Sequence, residues 1–183
     1  MQSAGVEDPY KVAQQAAEFV TKKFGGQHDV LAVLGSGWAH AASVLDATNE
    51  ISVTEIPGFT KPSAIGHGGT LKSVKVGNSR VLLLTGRTHL YEGHGVNAVV
   101  HAVRTAWFAG CKTVVLTNAA GCLRQDWGVG ATAVISDHIN LTGFSPLTGA
   151  DAPAPLHGRF VDLTDAYSLR LREIAKQVDP ALH

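Results

Sequence analysis

Short apolar runs alternate along the chain with segments in which apolar residues return every three or four positions. Val12, Ala16, Phe19, Val20 and Phe24 recur at helical spacing behind Asp8-Pro9, an N-cap followed by proline, and Gly25-Gly26 closes the run. Asp29 to Leu34 reads as a buried strand that ends at Gly35-Ser36-Gly37. Residues 38–46 read as helix, and 56–69 as a loop rich in proline and glycine. Strands over 70–76 and 80–85 are joined by Gly77-Asn78, a hairpin signal. A helix with Val96, Val99, Val100, Val103 and Trp107 on one face then runs to Gly110. Thr113 to Thr117 and Ala131 to Ser136 read as two more buried strands. Residues 143–159, rich in proline, glycine and alanine, predict an exposed loop. The last helix is expected to start at Thr164 or Asp165, bury Tyr167, Leu171, Ile174 and Val178, and end at Asp179-Pro180. Strands alternating with helices predict an α/β domain, and the hairpin makes its central sheet mixed.

Composition narrows the classes. With 183 residues, 45% hydrophobic and 16% charged, the chain can bury one sizeable core, and bulk disorder is excluded. Fifteen basic and fifteen acidic residues give zero net charge, which leaves no excess to neutralise a phosphate backbone, so no nucleic-acid partner is expected. Sparse charge also agrees with a surface partly covered in an oligomer. The first residues show neither a basic nor an apolar leader region, and no run reaches the roughly 18 apolar residues of a membrane span. Cys111 and Cys122 form no C-x-x-C pair and read as free thiols of a reducing cytoplasm. The expectation is a cytoplasmic protein with no membrane partner.

Polar residues bunch directly after the apolar strands, where open α/β sheets place their ligands. Three clusters stand out: Gly35-Ser36-Gly37, Gly86-Arg87-Thr88-His89-Leu90-Tyr91-Glu92-Gly93-His94, and Thr117-Asn118-Ala119-Ala120-Gly121. Glycines beside Ser36 let backbone N–H groups approach an anion. Arg87 offers a planar fork to a phosphate, and Glu92 is spaced to orient the His89 ring. Dinucleotide, Walker A and nucleophile-elbow patterns are absent, and the nine histidines match no zinc spacing, so no metal is expected. Asp137-His138 reads as a buried hydrogen-bonded pair holding a loop, and Trp38, Trp107 and Trp127 as core or interface residues. By themselves the residues lead to an anion-binding α/β protein.

In order, these clusters resemble the trimeric class of purine nucleoside phosphorylases. The matching segments also include Ile56-Pro57-Gly58-Phe59, Gly66-His67-Gly68-Gly69, Ile135 to Leu141, Gly158-Arg159-Phe160 and Thr164-Asp165-Ala166-Tyr167. The resemblance runs from about residue 10 to His183. It implies a single α/β domain over 1–183 with the nucleoside phosphorylase fold, a mixed sheet flanked by helices, incomplete at its C-terminal end. It implies phosphorolysis of inosine- or guanosine-type nucleosides to free base and pentose 1-phosphate, with inorganic phosphate as co-substrate and no cofactor. Phosphate would be held by Ser36, His67, Arg87, His89, Asn118 and the backbone of Ala119, with Glu92 orienting His89. Tyr91, Ala119, Ala120 and Gly121 would line the nucleoside side, and Phe160 would reach the sugar pocket of a neighbouring subunit in a homotrimer.

Two departures stand beside the match. Cys122 replaces a glycine that the family repeats, and Trp38-Ala39 replaces Leu-Gly after the serine turn. The segment carrying the family's base-recognising glutamate, its asparagine for purine N7 and a further phosphate serine is absent. Two alternatives therefore stay open: a methylthioadenosine phosphorylase, or a non-catalytic remnant that binds phosphate or docks with intact subunits.

Overall fold

The computed structural model describes residues 7–35, 37–38, 40–60, 69–149, 151–156, 158 and 160–183. It divides into two compact units, one up to Ala119 and the other from Ala120 to His183.

In the first unit, helix α1 (Pro9–Phe24) starts where the sequence predicts. Asp8 Oδ1 accepts the Tyr10 N–H at 2.9 Å, and Gly25 ends the helix in the left-handed region. Strands β1 (Val30–Leu34), β2 (Ala47–Ser52), β3 (Thr70–Val76), β4 (Ser79–Thr85) and β5 (Thr113–Leu116) form one sheet in the order β2-β3-β4-β1-β5. The pairs β2/β3 and β3/β4 are antiparallel, whereas β1 runs parallel to both β4 and β5, so the sheet is mixed as expected.

The apolar runs of β1 and β4 are continuous because both faces of the sheet are covered. Leu31, Val33, Leu82 and Leu84 face a large core with Val20 and Phe24 of α1 and Ala106 of α3 (Val96–Phe108). Leu34, Val81 and Leu83 face a smaller cluster with Val74 and Ala42.

Four expectations are corrected in this unit. Strand β5 is not buried: it lies at the edge of the sheet, with Val114, Val115 and Leu116 exposed. Helix α2 is one turn, Ala41–Val44, rather than the whole of 38–46, because the chain must enter β2 at Ala47. The apolar pattern misses β2, since Ile51 is its one buried residue; backbone pairing and the Lys72–Glu50 ion pair at 2.8 Å hold this edge strand. On α3 the fully buried side chains are His101, Thr105 and Ala106, while Val96, Val99, Val100, Val103 and Trp107 are half-buried. The helix packs against α1 as well as the sheet, so its inward face is rotated from the apolar stripe.

The second unit holds helix α4 (Leu169–Val178), capped by the Ser168 hydroxyl and ended at Asp179. The cap is therefore neither Thr164 nor Asp165; Asp162 draws Thr164 into a local turn through two hydrogen bonds, 2.6 and 2.9 Å. Of the expected buried stripe, Tyr167 and Leu171 are half-buried and Ile174 and Val178 are exposed. Residues 131–136 form no strand. A strand needs a partner strand for its backbone groups, and here Ala131 bonds within a local turn to Gly128 while Thr132 and Val134 bond only to His183. Asp137 and His138 are bonded but exposed, with Tyr167 Oη 2.9 Å from His138 Nδ1. Trp127 stacks on the His183 ring, and neither it nor Trp38 enters a core cluster. Among the described residues no helix is long and apolar enough to cross a membrane.

Candidate active site

The parallel strands β1, β4 and β5 end almost level, with Leu34 opposite Thr85 and Val33 opposite Leu116. Their following segments therefore leave the sheet at one edge. Among the described residues, that edge carries Arg87, His89 and Asn118 of the predicted site.

Backbone and threonine hydroxyls fix these segments. Gly86 N–H donates to the Leu34 carbonyl at 3.2 Å. Thr117 Oγ1 accepts from Gly35 N–H at 2.8 Å and donates to the Val33 carbonyl at 3.0 Å. The Thr85 and Thr70 hydroxyls are 2.7 Å apart, and the Thr60 and Thr88 hydroxyls are also 2.7 Å apart. Arg87 is drawn over Gly35 so closely that a β-carbon there would overlap its Nη1 and the Thr117 carbonyl oxygen.

His89 Nδ1 lies 2.8 Å from Glu92 Oε1 across one turn of 3-10 helix, Leu90–Glu92. An ionised carboxylate only accepts, so Nδ1 carries the proton and Nε2 is left for another partner. The Glu92 side chain is 8% exposed, and His94 Nε2 stands 3.8 Å from its other oxygen. The hydrogen bond from His89 holds the Glu92 carboxyl below the usual carboxylate range despite burial, and the charges of the His89 and His94 rings act in the same direction. Tyr91 stacks on the His89 ring at 4.8 Å and is itself 83% exposed.

A cavity of about 470 Å³ opens at this edge. Arg87, His89, Tyr91 and Asn118 line its polar side, while Val33, Leu84, Val99 and Val103 line its apolar side. Glu92 acts on the cavity through His89. Asn118 and Ala119 are exposed, and the Asn118 amide donates to the Ala119 carbonyl at 3.3 Å. Ser36 and His67 lie outside the described residues. Ala120, Gly121 and Phe160 belong to the second unit, and all three are exposed.

Two residues that build this edge, Thr117 and His101, carry roles that the sequence alone does not assign. Thr117 directly follows β5, a position where a hydroxyl reaches the backbone of the neighbouring strand. His101 was hidden among the valines of α3. Its Nε2–H donates to the Pro57 carbonyl at 2.9 Å, and its ring meets Phe59 edge-on at 4.9 Å. Burial lowers its pKa. Gly58, with φ of 74°, sits between Val12 of α1 and the His101 ring, where no β-carbon fits. His101 and Phe59 both line the cavity, so this turn forms part of its wall.

Comparison with known proteins bears on the same residues. A family model described as the phosphorylase superfamily matches residues 29–183. The purine nucleoside phosphorylase of Mycobacterium tuberculosis is 52% identical over 177 residues, covering 96% of this chain and 63% of its own length. That of Cellulomonas sp is 49% identical over 182 residues, covering 96% and 62%. The chain thus spans less than two thirds of the length of these relatives. A crystal structure of the purine nucleoside phosphorylase from Schistosoma mansoni in complex with acetate superposes with a TM-score of 0.85 at 28% identity, over 94% of this chain and 66% of that one. The mixed sheet, the order of its polar clusters and the match from residue 29 onward agree, and the chain belongs to the phosphorylase superfamily.

Proposed function

We propose that this chain carries the phosphate-binding half of a purine nucleoside phosphorylase site, and that its reaction is phosphorolysis. Inorganic phosphate attacks C1′ of the nucleoside, the bond from C1′ to the purine breaks, and pentose 1-phosphate and free base leave. The observation that carries the reading is the fixed pair of Arg87, seated on Gly35, and His89, oriented by Glu92, at the mouth of one cavity. The names of the similar proteins support the same reaction class.

Bond breaking builds positive charge on the sugar, as in glycoside hydrolysis. A phosphate dianion held in line stabilises that charge and completes the displacement, and fixed donors remove the entropic cost of bringing it there. Arg87 supplies two charged N–H groups to the phosphate. Glu92 keeps the His89 ring in one orientation, with Nε2 the atom left to meet a phosphate oxygen. Asn118 and the Ala119 backbone complete the anion side in this reading, with Ser36 and His67. Tyr91, Ala120 and Gly121 serve the nucleoside. No cofactor is needed.

The reading extends to a cytoplasmic homotrimer in which Phe160 serves the neighbouring copy. Its 95% exposure supports a partner outside its own unit, and two free thiols support a reducing compartment.

The test is a phosphorolysis assay on the purified chain with inosine, following hypoxanthine release with and without inorganic phosphate. Phosphate-dependent turnover is expected. Arg87→Ala removes a charged bidentate donor worth about 1.5–3 kcal/mol, so the KM for phosphate should rise roughly ten- to hundred-fold. Phosphate binding without any turnover would instead indicate the non-catalytic alternative.

A further inference from the structure

We infer that Thr117 is a positioning residue for the anion site: it sets the place of the Arg87 guanidinium through the backbone turn at Gly35. This rests on the proposed role of Arg87 as the phosphate ligand.

The Thr117 hydroxyl has one proton and is used in both senses. Its proton goes to the Val33 carbonyl at 3.0 Å, and its oxygen takes the Gly35 N–H at 2.8 Å. Thr117 N–H also donates to the Val33 carbonyl at 3.0 Å. Val33 is paired with Leu116 in the parallel ladder. The hydroxyl thus extends the contact between β1 and β5 one residue beyond that pair and fixes the chain where it leaves β1.

Arg87 depends on that point twice. Gly86 N–H is tied to the Leu34 carbonyl at 3.2 Å, which places the Arg87 main chain beside the turn. The guanidinium then fills the space over Gly35, where a β-carbon would overlap Nη1. A small displacement of Gly35 therefore either presses on the guanidinium or leaves it without its seat. The Thr117 carbonyl oxygen borders the same space, so one residue sets both the floor and one wall of the Arg87 position. Serine preserves both hydroxyl bonds, whereas valine keeps the shape and loses both.

The experiment compares the parent chain with Thr117→Val and Thr117→Ser. Phosphate is titrated calorimetrically, Arg87 Nε–H is followed by NMR on ¹⁵N-labelled protein, and amide exchange is read at Gly35. Thr117→Val should weaken phosphate binding about tenfold, the size expected when the two part-buried hydroxyl hydrogen bonds are lost. It should also shift the Arg87 resonance and speed Gly35 exchange, and Thr117→Ser should restore all three readouts. A folded Thr117→Val protein with parental phosphate affinity and an unmoved Arg87 resonance would overturn the inference. If Thr117→Val does not fold, Thr117→Cys replaces it, with smaller changes in the same direction expected and no change counting against the inference. A parent chain that binds no phosphate would overturn the anion-site reading alone, while the Arg87 resonance and Gly35 exchange still decide the positioning role.

Discussion

Arg87 lies so close over Gly35 that no side chain can stand between them, although 52 positions separate the two in sequence. Glycine is required at position 35 by proximity.

Gly35→Ala should consequently displace the guanidinium and weaken phosphate binding about as much as removing Arg87 does. The forced overlap should also cost about 1–3 kcal/mol of stability. Titration of phosphate and a thermal melt check both. In an Arg87→Ala background the same alanine should cost less, because one of its two obstructions has gone, and the difference is read as a double-mutant cycle. Equal effects of Gly35→Ala in both backgrounds would show that the two residues are independent.

Phe160 is 95% exposed, too open to belong to its own unit's core. If it serves the sugar site of a neighbouring copy, Phe160→Ala and Arg87→Ala subunits should complement each other. At limiting phosphate, mixing the two impaired parents should return part of the activity, because some interfaces then pair an intact phosphate site with an intact phenylalanine. Mixed oligomers confirmed by native mass spectrometry, yet no more active than the sum of the parents, would place Phe160 outside the site.

His28 predicts the acid sensitivity of the first unit. It is 1% exposed, with Nε2 2.8 Å from Ser73 Oγ. Burial, aided by the positive charge of Arg80 and opposed by Asp29, lowers its pKa to about 4. The unfolded chain binds the proton near pH 6.5 and the folded chain only near 4, so stability is complete above about 6.5. It falls as pH drops through that window, by about 1.4 kcal/mol per unit. His101, lowered by burial, acts in the same sense. Replacing both partners, as His28→Leu with Ser73→Ala, should flatten the fall between pH 6.5 and 4 in denaturant unfolding. An unchanged slope would remove His28 as its source.

Much of the first unit was legible because its signals are local. Asp8-Pro9 supplies its cap within two residues, Gly77-Asn78 turns the hairpin by its own backbone, and unbroken apolar runs mark β1 and β4 as covered on both faces. The cluster from Gly86 to His94 was legible for the same reason, since His89 and Glu92 meet within one turn.

Other features depend on partners remote in sequence. The edge strand β2 exists through its pairing with β3, which its polar residues do not advertise, whereas the apolar run at 131–136 finds no partner strand among the described residues and forms none. The inward face of α3 was decided by α1 packing beside it, which brings His101 and Thr105 inside in place of the valine stripe. At the site, the sequence by itself determined which groups are available: a guanidinium, an imidazole with its carboxylate, and glycines beside a strand end. Tertiary structure decided their arrangement. The parallel ladder of β4, β1 and β5 brings Thr117 to Gly35 across 82 positions and seats Arg87 on that glycine, because level strand ends leave their loops at one edge within hydrogen-bond reach.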